Sequence, residues 1–177
     1  MQYFNVKNFI IFLVLFLSFL TSSCTSTDII RKTTLSLETK EFNGIKHYKD
    51  GNYEEAFNLL KEPAAWGYKG SQYTIAFMFL KGQYLQQSTL LGMGWLGVAK
   101  EANVKEWSKQ YDVFYSAATK KQKLDFDKIK EVYIKRYGLM AQDVTCRKST
   151  SAKSRRVRVD CYHYDGVGVL YDIDLVE

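Results

Sequence analysis

The hydrophobic and polar positions divide the chain into three stretches. Phe9 to Leu20 (FIIFLVLFLSFL) is an almost unbroken apolar run of twelve residues. As a helix it covers about 18 Å, well short of a hydrocarbon core of ~30 Å, so it suits the apolar centre of a secretory leader better than a membrane span. Further on, apolar residues recur at helical spacing. Ile75, Met78, Phe79 and Gly82 fall at i, i+3, i+4 and i+7, the buried stripe of a helix. Gly82-Gln83-Tyr84 interrupts the pattern, and a second run places Gly92, Trp95, Ala99 and Ala102 on one face. Two helices joined by a short turn, with small residues where they cross, predict an αα-hairpin. The stretch before it, with Tyr48, Gly51, Ala56, Leu59, Ala64 and Gly67, fits the same scheme. Pro63 should kink or end its helix. The stretch after it offers Tyr111, Phe114 and Tyr115 and then Leu124 to Tyr137 as a looser third pair.

From Gln142 the period changes to two. Val157, Val159 and Cys161 alternate with Arg156, Arg158, Asp160 and Tyr162, a half-buried strand. Asp165-Gly166 is a hairpin-turn signal, and Val167, Val169, Tyr171, Ile173 and Leu175 form the expected return strand. The expected fold is mainly α: an αα-hairpin repeat solenoid of about three helical pairs, followed by an antiparallel β-hairpin. The expected divisions are a leader over 1–23, a flexible tether over 24–35, helical repeats over 36–140 and a small β segment over 141–177.

Two stretches resemble known families. Leu20-Thr21-Ser22-Ser23-Cys24 resembles the lipobox of bacterial lipoproteins, with Thr21 where Leu is more usual. The resemblance implies diacylglycerol on the Cys24 thiol, cleavage before Cys24 and acylation of the new amine. Thr25, where an Asp would favour the inner membrane, implies an outer-membrane anchor facing the periplasm. Two or more acyl chains suffice for stable anchoring. In the middle, Ser71-Gln72, Ile75-Ala76, Met78-Phe79 and Gly82, then Gly92, Trp95 and Ala99, resemble a Sel-one-like repeat, a kind of tetratricopeptide-like (TPR-like) repeat. Tyr84 stands where that family has a second loop glycine. The likeness extends more loosely over residues 36 to 138.

Composition and charge add detail. The chain has 177 residues, a single proline and a formal net charge of +6. Arg147, Lys148, Lys153, Arg155, Arg156 and Arg158 form the one basic cluster. In an exported protein such a cluster points to anionic headgroups, an acidic protein face or plain solvation, and nucleic acid is not an expected partner. With Cys24 lipidated, Cys146 and Cys161 are the remaining pair, and an oxidising compartment favours a disulfide between them. Two cysteines and two histidines, His47 and His163, are too few and too scattered for a zinc site. No enzyme signature and no cofactor motif is present.

The Sel-one-like resemblance therefore implies a non-enzymatic adaptor or scaffold that binds an envelope protein or peptide on its concave side. First-helix positions off the packing stripe would face that groove: Phe42 and Lys46, Tyr73 and Phe77, Lys109 and Val113. Tyr73 and Phe77 are the best anchors, although ordinary core packing is an equal possibility for each. Other open classes are an immunity lipoprotein that neutralises a toxin and a cell-wall or anionic-lipid binder acting through the basic tail.

Overall fold

A computed structural model describes residues 29–150 and 157–176. The expected leader over 1–23, the expected lipidation site Cys24, and Lys153, Arg155 and Arg156 of the basic cluster lie outside the described residues. The described chain is mainly helical. Strand β1 (Ile29–Lys32) leads into helices α1 (Thr34–Lys49), α2 (Tyr53–Ala65), α3 (Lys69–Lys81) and α4 (Thr89–Ala99). A 3-10 turn (Lys100–Ala102) follows, then α5 (Lys105–Ala117) and α6 (Lys120–Tyr137). Strands β2 (Thr145–Thr150), β3 (Val157–Tyr162) and β4 (Gly166–Val169) complete it. No described helix is long and apolar enough to cross a membrane.

Glycine sets the helix stops. After α2, Gly67 at φ +84° lets the Tyr68 N–H turn back to the Pro63 carbonyl at 3.0 Å. After α3, Gly82 at φ +65° does the same for Gln83 and Met78 at 2.9 Å. Pro63 lies in the last turn of α2, which runs on only to Ala65.

α1 packs on α2, and α3 on α4. α4 is the central helix, and every residue from Leu91 to Ala99 is buried. A helix apolar all round must be enclosed, and its glycines show by what. A Cβ at Gly92 would lie 2.7 Å from Leu80 of α3, and one at Gly94 would lie 2.9 Å from the Tyr133 ring of α6. One at Gly97 would lie 2.7 Å from the side chain of Lys130. The glycine faces of α4 therefore admit α3 on one side and α6 on the other. Trp95 stacks on Tyr137 at 4.7 Å within this core.

The third helical pair differs from expectation. The α6 backbone lies along α4. It meets α5 chiefly through long side chains, such as the Tyr115 hydroxyl donating to Asp127 at 2.8 Å and Lys130 over the Tyr111 ring.

β2 and β3 pair antiparallel with Cys146 opposite Cys161, and the two cysteines form a disulfide. Its sequence separation is 15 residues. In the chain-entropy account, closing a ~15-residue loop contributes about 3 kcal/mol. Cys146→Ser with Cys161→Ser should therefore raise amide exchange over 145–162 and leave helix protection almost unchanged, as read by hydrogen-exchange mass spectrometry. Equal loosening of α4 would show that the disulfide supports the whole domain.

Three expectations need correction here. Asp165-Gly166 is not a turn between paired strands: β4 pairs antiparallel with β1 and not with β3. Gly168 leaves the strand flat against Trp66, where a Cβ would come within 2.8 Å of the ring. Asp165 accepts the Thr34 N–H at 2.7 Å. Within the described part of the tether expected over 24–35, Ile29–Lys32 is instead β1 and α1 starts at Thr34. Beyond Val169 the return strand gives way to an extended strap along the helices. The Tyr137 hydroxyl donates to the Asp172 carbonyl at 2.6 Å, and Arg136 pairs with Asp174 at 3.3 Å. Leu170 and Ile173 pack against the core.

Candidate functional site: an aromatic groove across three helices

A groove of about 540 Å³ runs between α1, α3 and α5. α1 contributes Ile45, Tyr48 and Lys49, and α3 contributes Tyr73, Phe77 and Lys81 at i, i+4 and i+8. Trp107 of α5 closes one wall and stacks on Tyr73 with ring centres 4.7 Å apart and planes 17° off parallel. Tyr73 and Phe77 touch at 5.0 Å, and the Lys81 ammonium lies 5.6 Å above the Phe77 ring. The four aromatic rings are half-buried, each resting partly on neighbouring packing and partly on solvent. Burial pushes the Tyr48 and Tyr73 hydroxyls above the usual tyrosine range, with Glu106 adding to the shift at Tyr73. Both therefore remain hydrogen-bond donors at neutral pH.

α1 and α3 meet at one end of the groove through Glu41. Its carboxylate accepts the Ser71 N–H at 2.8 Å and the Ser71 hydroxyl at 3.1 Å, near the N-terminus of α3, where partial positive charge gathers. Burial raises the Glu41 pKa, against the lowering effect of the Ser71 hydrogen bonds. Gly70 makes the approach possible, since a Cβ there would lie 2.9 Å from the Glu41 carboxylate.

The six residues expected to line one groove are divided by the structure. Tyr73 and Phe77 line it. Phe42 sits on the Ile45 and Lys49 stripe at i, i+3 and i+7 but is 72% exposed beyond the lining, with Lys46 exposed beside it. Lys109 and Val113 belong elsewhere, in a shallow depression with Ser108 and Asp112 on the other side of α5. The reason is rotation: Tyr111 is buried and Trp107 stacks on Tyr73, which turns positions 109 and 113 outward. Tyr48, Lys49, Lys81 and Trp107 complete the lining without being among the six expected. The i, i+4, i+8 aromatic series Trp107, Tyr111, Tyr115 is the signal that could have found Trp107.

A buried charge lies at the start of α3, outside the groove lining. Lys69 is 2% exposed and donates to Gln72 Oε1 at 3.0 Å, the Val98 carbonyl at 3.2 Å and Glu101 Oε2 at 2.9 Å. Burial lowers its pKa, and Glu101 opposes that. Gln72 in turn donates to the carbonyls of Ala64 and Tyr137, each at 2.9 Å. The Leu139 N–H donates to Glu101 at 3.1 Å. One polar network thus joins the ends of α2, α4 and α6 to the start of α3.

Of the basic cluster, Arg147, Lys148 and Arg158 are exposed on the β2–β3 pair. Arg158 is partly neutralised by Asp160 at 3.1 Å. Among the described residues no group of three His, Cys, Asp or Glu side chains is placed to hold a metal ion. His163 instead stacks flat on Tyr68 at 3.6 Å. Burial, with Lys32 and Lys69 nearby, pushes its pKa down to about 3. A base with a depressed folded pKa is protonated more readily in the unfolded chain, so its contribution is complete above pH 6.5 and is lost as pH falls toward about 3. His163→Phe, which keeps the stack, should therefore lose less stability than the parent between pH 7 and pH 4 in urea titrations. Parallel pH profiles for the two would show that His163 takes up no proton on unfolding.

No protein-family model, curated protein or solved structure matches the chain.

Proposed function

We propose that this protein is a non-enzymatic adaptor of the bacterial cell envelope, anchored by lipid on Cys24, most naturally to the outer membrane and facing the periplasm. It holds a segment of another envelope protein in the groove of α1, α3 and α5. The observation that carries the reading is that groove: four half-buried aromatic rings from three helices, with Lys49 and Lys81 at one end and no carboxylate paired to either among the described residues. Aromatics of this kind supply much of the energy of protein interfaces. The fitting partner is an apolar or aromatic peptide segment with acidic residues to one side. The Sel-one-like reading has support in the two packed helical pairs, α1 with α2 and α3 with α4. Its motif positions Gln72, Ile75, Met78, Phe79, Gly92, Trp95 and Ala99 are all buried, and Gly82 forms the turn.

The test is capture of the full-length lipoprotein after in-cell crosslinking, beside the Tyr73→Ala, Phe77→Ala double variant. One dominant envelope protein, lost only from the variant, supports the adaptor. Equal recovery from both would sink the groove reading.

A further inference from the structure

The groove has a direction, and the chain start fixes where one end of it lies. α1 begins at Thr34, directly after β1 and Thr33. α3 begins at Lys69, next to Trp66 and Tyr68, the two aromatic residues beneath the β1–β4 ribbon and the start of α1. The Tyr68 hydroxyl donates to the Thr34 carbonyl at 3.2 Å, the Ser71 N–H reaches Glu41, and the far ends of both helices bring Lys49 and Lys81 to one groove. α1 and α3 therefore run side by side in the same direction, away from the ribbon. At ~1.5 Å per residue the 16 residues of α1 place Lys49 about 24 Å from that end.

The ribbon end is also where Cys24 attaches. Only residues 25–28 separate Cys24 from Ile29 of β1. Five residue steps, at no more than ~3.6 Å each, reach at most ~18 Å. The outward surface there suits lipid headgroups. In the β1–β4 register Arg31 lies opposite Val167. Lys32 and Gly168 turn to the other face, toward Trp66, so Arg31 and Val167 face outward, and Val167 is 75% exposed. Tyr164, just before β4, is 57% exposed. Arginine, tyrosine and valine together match the interfacial region, where phosphate, water and acyl chain meet. Asp165 is the acidic exception, and its carboxylate is engaged by the Thr34 N–H.

We propose that the outer face of the β1–β4 ribbon rests on the bilayer surface, so that the aromatic groove stands upright with its Lys49 and Lys81 end farthest from the membrane. This rests on the lipid-anchor reading. The occupant of the ribbon face is the headgroup layer of the anchoring membrane. A partner protein would then enter the groove from the distal, lysine-bearing end, within a single molecule's height of the lipid.

The test uses the mature lipidated protein in vesicles of phosphatidylethanolamine and phosphatidylglycerol carrying a nitroxide on the headgroup. A fluorophore is placed on Val167→Cys or, at the far end in the α1–α2 turn, on Asp50→Cys. The label at 167 should be quenched several-fold more strongly than the label at 50. Inserting about twenty Gly/Ser residues between Ser26 and Thr27, with an r.m.s. span of ~25 Å, should abolish the difference. Intact mass reads Cys24 in the same sample. An unacylated Cys24 overturns the anchor reading and this orientation with it. An acylated Cys24 with equal quenching at both labels, or stronger quenching at 50, overturns the orientation alone.

Discussion

Tyr73→Ala combined with Phe77→Ala should abolish partner capture while leaving the domain folded. Each ring is half-buried, so the loss of packing is a part of the ~1.5–3 kcal/mol that full burial of such a side chain contributes. The domain keeps its core of Trp95, Phe79, Tyr133 and Tyr137, and the Lys69–Glu101 pair is untouched. A pair of interface anchors worth about 2 kcal/mol each corresponds to a loss of affinity of roughly 10³-fold, enough to remove capture altogether. Phe42→Ala, at a site 72% exposed beyond the lining, should change capture little. Val113→Ala, on the outer side of α5, should not change it. Circular dichroism melts of all three variants separate loss of binding from loss of fold.

Lys69→Ala should produce the largest loss of stability, about 3 kcal/mol. Removing one member of a buried pair leaves the other charge uncompensated, at a cost of about 3–5 kcal/mol. The lower value applies because Glu101 keeps 22% of its side chain exposed. The substitution also removes a donor from Gln72 Oε1 and from the Val98 carbonyl. For a domain of this size the melting temperature should fall by roughly 6–12 °C. Lys69→Met with Glu101→Gln should recover part of that loss, since the amide still accepts the Leu139 N–H without a buried charge. A double variant no more stable than Lys69→Ala would locate the cost in packing around the lysine stem.

What the sequence made legible is largely local. Helical spacing placed α3 and α4, Gly82 marked the end of α3, and alternation found β3. Cys146 and Cys161 meet across paired strands as expected. What it hid depends on distant partners. β1 is four residues long, and its ladder partner lies at the opposite end of the chain, so no local period announces it. The strand after Asp165-Gly166 follows Trp66 through Gly168, a contact that outweighs a local turn signal. Lys69 carries a charge that reads as solvated until Val98 and Glu101 are brought to it by the fold. Within the groove, helical spacing offered Tyr73 and Phe77 from α3. The rotation of α5 rests on stacking between Trp107 and Tyr73, which spacing within either helix does not reveal.

The most direct test of the central claim is a photo-crosslinking amino acid placed at either of two positions in the full-length protein in living cells. Position 81 lies at the groove rim and position 113 on the opposite side of α5. A single envelope protein crosslinked from 81 and absent from 113 is the result predicted here. The same product from both positions, or from 113 alone, would contradict a partner held in the groove.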